Sequence, residues 1–186
     1  RAAFVLHYCG QEGLLGWLEQ RLRLEPDDLL LLSGYTNVAE PKRTLSFLQE
    51  GLSARPLRVD WHRIYQSLRE RTAPEHDLES EYQRLLAEAP ESSEHLYLLG
   101  RCTSDPAKAA ELLERATRSE PPSPYPFLGL GYQRMAVGRP EDALKLFRDG
   151  LRIGAEHLLL PMEERAMLAL GRHKELATRL QQRFGE

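Results

Sequence analysis

Pro140-Glu-Asp-Ala143-Leu-Lys-Leu-Phe147-Arg-Asp-Gly150-Leu151 is the stretch on which the reading of this chain turns. It recurs. Pro106-Ala-Lys-Ala109-Ala-Glu-Leu-Leu113-Glu-Arg-Ala116 stands thirty-four residues earlier, and Pro41-Lys-Arg-Thr44-Leu-Ser-Phe-Leu48-Gln-Glu-Gly51-Leu52 is a third copy. Each begins with Pro, has a small residue three later, a large apolar residue four after that, and another small residue three further on. Pro at the first helical position has no N–H to leave unpaired and already has a helical φ. Steps of four and three put the small, large and small residues on one helix face. The small residues let a second helix come close, and the large one fills the gap between the backbones.

Working outward, two of these copies follow another helix with Leu-Gly at its middle. Phe127-Leu-Gly-Leu130-Gly131-Tyr132 precedes Pro140, and Leu96-Tyr97-Leu98-Leu99-Gly100-Arg101 precedes Pro106. Pro26, Pro56, Pro90 and Pro121 close units after their second helices. A repeat of this length is the signature of a stacked array whose units cannot bury their apolar faces alone.

The pattern resembles the tetratricopeptide repeat: an aromatic residue, Leu-Gly, a Gly turn, Ala, an aromatic residue, a small residue and a closing Pro. Phe127, Leu130, Gly131, Gly138, Ala143, Phe147 and Gly150 match it, with Ala155 near the place of the closing Pro. A second unit matches at Leu99, Gly100, Ala109, Leu113, Ala116 and Pro121, with a shorter inner turn. Trp61 fits a first-helix aromatic position, and Tyr82 with Pro90 fits its partner helix. Leu14 to Pro26 and Leu176 to Phe184 keep only the apolar stripe. The resemblance implies an all-α fold, a right-handed α-α solenoid of about six helix pairs. The expected domain is a single helical repeat array over residues 1–186.

Coarse boundaries give twelve helices, near 1–9, 12–24, 28–37, 41–54, 57–72, 75–88, 92–103, 106–119, 124–137, 140–153, 156–170 and 172–184. Pro121 to Pro124 reads as a rigid connector, too short to separate domains. The opening Arg1-Ala-Ala-Phe-Val-Leu reads as the middle of a helix, with Phe4, Val5 and Leu6 ready to bury against something upstream. The expectation is a natural protein that continues upstream of Arg1 and ends near Glu186, where Leu176, Leu180 and Phe184 form one stripe of a capping helix. Arg179, Gln181, Gln182 and Arg183 are expected outside that stripe.

Composition narrows the function. The 186 residues are 41% hydrophobic and 28% charged, with a net charge of −3 and no basic block that would track a phosphate backbone. No nucleic-acid partner is expected. Apolar runs such as Leu29 to Leu32 and Leu158 to Leu160 are far too short to span a bilayer. No signal peptide is visible, and a start inside a helix leaves the compartment open. Cys9 and Cys102 make neither a metal spacing nor a disulfide framework. His7, His62, His76, His95, His157 and His173 form no His-Glu-x-x-His or Cys/His cluster, so no metal and no cofactor is expected. Gly129 and Gly131 lie inside a helix, where close packing explains them better than a phosphate loop does. Acidic stretches at Glu75 to Glu81 and Glu88 to Glu94 read as solvated helix starts and turns. No catalytic residue is assigned, and the chain reads as a binding scaffold, not an enzyme.

Phe127, Phe147, Trp61, Tyr82 and Trp17 fall on packing positions. Tyr125, Leu128 and Tyr132 share another face of their helix. The family resemblance implies that first helices line the concave wall. That places Tyr35, His62, Gln66, Tyr97, Arg101, Tyr125, Leu128 and Tyr132 on an expected peptide-binding surface. Tyr offers a large contact area with a polar tip at low entropy cost. Arg, which outnumbers Lys 21 to 4 here, can grip a carboxylate or stack on a ring. The resemblance also implies docking of chaperone tails by a Lys/Asn clamp, but the corresponding faces carry Tyr97, Arg101, His62 and Gln66 instead. The expected partner is a protein or peptide segment. The alternatives are a homo-oligomeric assembly element working through the terminal helices, and the substrate-recruiting arm of a larger enzyme or secretion complex.

Overall fold

The computed structural model describes the backbone of residues 2–185 and the side chains of residues 10–185. Phe4, Val5, Leu6 and Cys9 lie outside the described side chains. Among the described residues there are eleven helices and no strand. They are α1 (Ala2–Leu24), α2 (Leu29–Val38), α3 (Pro41–Gly51), α4 (Val59–Thr72), α5 (Leu78–Glu88), α6 (Ser93–Cys102), α7 (Pro106–Ala116), α8 (Tyr125–Ala136), α9 (Pro140–Leu151), α10 (Glu156–Ala169) and α11 (His173–Phe184). Ten of them lie within three residues of the expected boundaries. The two helices expected at 1–9 and 12–24 run together as α1, broken at Gly10, whose φ of 68° and ψ of −172° are not helical. Two compact units divide the chain, residues 1–77 and residues 78–186.

In the first unit, α1 to α4 pack in sequence. Asp28 caps α2, accepting from the N–H groups of Leu30 (2.9 Å) and Leu31 (3.0 Å), donors the helix itself cannot pair. Pro41 opens α3 as expected. A line of rings forms the centre: Tyr35 to Phe47 at 4.9 Å and Phe47 to Trp61 at 5.3 Å between centroids. Trp61 anchors it by donating Nε1–H to the Pro26 carbonyl at 2.8 Å. Gly51 ends α3 against this indole, and a Cβ there would lie 2.7 Å from the Trp61 ring.

In the second unit, α6 with α7 and α8 with α9 form close pairs, while α10 packs on α9 and on α11. The first helices α6, α8 and α10 also pack side by side, which makes them one layer. The small residues act as the sequence predicts. A Cβ on Gly131 would lie 2.1 Å from the Phe147 ring, and Ala143 is completely buried in the same contact. Gly150 plays the matching part against Phe127 and Leu159.

The last pair is closer to its predecessor than its sequence suggests. Gly138 (φ 71°) and Gly171 (φ 68°) both end a first helix in the left-handed region, where glycine has no steric penalty. Arg139 N–H returns to the Arg134 carbonyl at 2.8 Å, and Arg172 N–H to the Met167 carbonyl at 2.9 Å. By this register Glu163 takes the place of Leu130. It is 1% exposed, and it accepts from Arg148 Nε at 2.7 Å and from Arg179. Arg179 and Arg183 therefore turn toward α10, where Arg183 meets Glu164 at 2.8 Å. The expected capping stripe closes only in part, because Leu176 is buried while Phe184 is 74% exposed.

Candidate functional site

The eight residues expected on a binding wall separate by burial. Tyr35, His62, Gln66, Tyr97 and Leu128 are buried, at 3% exposure or less. They do not present a surface. Tyr35 donates its hydroxyl to Glu19 at 2.8 Å, inside a cluster that Arg43 completes through Nε to Glu19 (2.7 Å) and Nη1 to Glu12 (2.5 Å). Burial works to raise the pKa of Glu19, but the bonds from Arg43 and Tyr35 outweigh it and hold the carboxyl below its ordinary range. Burial first, and then the bond to Glu19, raise the Tyr35 phenol far above its ordinary value. His62 Nε2 lies 3.1 Å from the Leu52 carbonyl, a bond that puts the proton on Nε2.

Tyr97 is buried because α8 lets it in. Gly129 faces α6 and α7, and a Cβ there would lie 3.3 Å from the Tyr97 ring and 3.1 Å from Leu113. Gly129 and Gly131 thus serve opposite neighbours, one on each side of α8. Leu128 joins Ala143, Leu144, Phe147 and Leu159 in the core. For Tyr97 and Leu128 the cause is crowding: α6 packs with α5, α7 and α8, and α8 with α6, α7, α9 and α10, which leaves little of either helix's circumference for solvent. Tyr35 is covered instead by Phe47 and the Glu19 carboxylate.

Arg101, Tyr125 and Tyr132 remain. Tyr125 is half-buried with its ring 5.6 Å from that of Tyr97. Arg101 is half-buried over the same Tyr97 ring at 5.9 Å. Tyr132 is 45% exposed. It stands at a cleft of about 280 Å³ lined also by Met135 and Ala136 from α8, Phe147 from α9, and Met162 and Arg165 from α10. The buried Phe147 ring makes the floor, and two thioethers form flexible walls. Tyr132 is expected on a binding wall; Met135, Met162 and Arg165, which line this cleft with it, are not among the expected residues. The register Gly138 to Gly171 was the signal that would have found the α10 wall.

A second cleft, of about 260 Å³, runs along α9 beside Arg172, the residue that caps α11, and is lined by both signs of charge. Its arginines Arg148, Arg152 and Arg172 already hold carboxylates. Burial raises the pKa of Glu94, half-buried at the start of α6, where a solvated acid was expected. Among the described residues no group of three or more His, Cys, Asp or Glu could hold a metal ion. No helix among them is long and apolar enough to cross a membrane.

The architecture is that of a tetratricopeptide-like helical repeat protein. It is similar to the crystal structure of a tetratricopeptide repeat protein from Parabacteroides merdae, with a TM-score of 0.52 and 16% identity. That similarity covers 100% of this chain and 77% of the other. No protein-family model and no curated protein matches the chain.

Proposed function

We propose that this chain is a protein-interaction scaffold that holds a segment of a partner protein in the cleft between α8 and α10. The half-exposed Tyr132 beside an apolar floor is the observation that carries this reading. Segments of partner proteins dock by laying apolar anchor side chains into hydrophobic grooves. This cleft has that make-up, and it lies in the layer of first helices. Arg101 and Tyr125, half-buried on α6 and α8, are proposed as further contacts along the same layer. Repeat arrays build binding surfaces from small contributions of successive units. The assembly alternative draws on one observation, the exposed Phe184 at the end of α11.

The test is capture of partner proteins by the immobilised chain, set against Tyr132→Ala and Ala136→Phe. Both positions are exposed at the cleft, so helicity and melting should stay within experimental error of wild type. Capture should fall about tenfold or more, as expected for an aromatic anchor in a pocket. Undiminished capture by both variants would move the site elsewhere. A concentration-dependent rise in mass, abolished by Phe184→Ser, would favour assembly.

A further inference from the structure

Resting on the cleft reading above, we infer that the segment seated between α8 and α10 carries an apolar side chain flanked by a side-chain carboxylate that pairs with Arg165. Arg165 is exposed at the cleft. The other arginines of α8 to α11 and of their caps each hold a carboxylate, as Arg134 does with Glu114 and Arg183 with Glu164. Arg165 has none among the described residues.

The local sequence explains why. Its neighbours three and four positions away on α10 are Pro161, Met162, Leu168 and Ala169, none of them acidic. The adjacent acids are already engaged, Glu163 with Arg148 and Arg179, and Glu164 with Arg183. The facing wall of α8 offers Tyr132, Met135 and Ala136, again without a carboxylate. A guanidinium at the edge of an apolar cleft thus has its five donors unanswered by protein acids. The hydroxyl of Tyr132 likewise makes no hydrogen bond to a described residue. Charge complementarity asks for an acid on the occupant.

The rest of the cleft defines its neighbour. About 280 Å³ admits one large aliphatic or aromatic side chain over the Phe147 ring. Met135 and Met162 are unbranched and polarisable, so the walls adapt to its shape. A chain-terminal carboxylate is the weaker match. Such termini are captured by converging backbone N–H groups, whereas Tyr132 and Arg165 sit inside helices whose N–H groups are already bonded. The occupant is therefore an internal segment with an apolar anchor and an Asp or Glu beside it.

The probe is an array of N-acetylated, C-amidated nine-residue peptides on a Gly/Ser background. Each has Leu, Met or Ala at its centre and Glu, Gln or Lys one to four positions to either side. Binding to the full chain is read by fluorescence anisotropy, with circular dichroism confirming that each variant is folded. Peptides pairing Leu or Met with Glu should bind about fivefold tighter than their Gln counterparts, the upper end for an exposed ion pair. Arg165→Gln should erase that preference, Arg165→Glu should transfer it to the Lys peptides, and Ala136→Phe should abolish binding of all. If Ala136→Phe abolishes binding but Glu and Gln peptides bind alike, or the order survives Arg165→Glu, the acidic partner is wrong and the cleft reading stands. If Ala136→Phe changes nothing, or the wild-type chain binds no peptide, both are wrong.

Discussion

Tyr35 is a tyrosine whose sequence position suggested a groove and whose surroundings make it a structural part. Its ring is completely buried against Phe47, and its hydroxyl bonds the Glu19 carboxylate. Helical periodicity reveals which residues share a face, but it does not show that an acid sixteen positions away will meet the phenol. Tyr35→Phe should keep the shape and remove one hydrogen bond to a charged group. The expected loss is about 1.5–3 kcal/mol in chemical unfolding; an unchanged midpoint would show that the bond contributes nothing. Glu94 behaves oppositely. Its pKa is raised by burial, so between the unfolded and folded values the native state binds the extra proton. Its contribution to stability is present at low pH and is lost as pH rises through the raised value. Glu94→Gln should therefore melt higher than wild type at neutral pH, with the difference shrinking as pH falls through the carboxylate range. A difference that grows on acidification would mean that Glu94 has a cationic partner in solution.

At the scale of elements, the sequence was legible where the repeat is strong. Proline at the first helical position opens α3, α7 and α9, and the small-large-small faces meet as spaced. It was less legible in the last pair, because Glu163 stands where the preceding unit has Leu130. A buried acid breaks the apolar pattern, and only its arginine partners on α9 and α11 make it tolerable. The binding face was the least legible. Which residues of a first helix stay exposed depends on how closely its neighbours approach, and Gly129 sets that for Tyr97. The contact between α8 and α9 gives the sharpest test of the register. Ala143 is fully buried beside Phe147, so Ala143→Leu must push the helices apart or force a strained rotamer. It should cost about 1–3 kcal/mol. Ala136→Leu on the exposed end of α8 is the matched control and should leave stability unchanged within about 0.5 kcal/mol. Equal melting of the two variants would mean that α8 and α9 are paired in another register.

The whole molecule follows from adding such contacts. A helical array is stabilised by each unit and by its interfaces with its neighbours, without a single central core. Residues 78–186 contain three successive helix pairs, α6 with α7, α8 with α9 and α10 with α11, together with α5, which packs on α6. Stacked repeats bury a continuous apolar layer and need about three units for stability, a number this fragment reaches. This unit has such a layer, built on Leu128, Leu144, Phe147, Leu159 and Met167. The fragment Leu78–Glu186 should therefore fold by itself, helical by circular dichroism and melting in one cooperative step. Phe147→Ala within it should cost about 3–5 kcal/mol, the range for emptying an aromatic site in a packed interior. Both tryptophans, Trp17 and Trp61, precede Leu78, so the fragment's melting is followed by tyrosine fluorescence, which samples Tyr97 and Tyr125 at the junction of α6 and α8. Agreement of that signal with the dichroism trace would mark one cooperative unit. A fragment that stays unfolded, or that loses the tyrosine signal before its helicity, would mean that these helices depend on residues 1–77 for their stability.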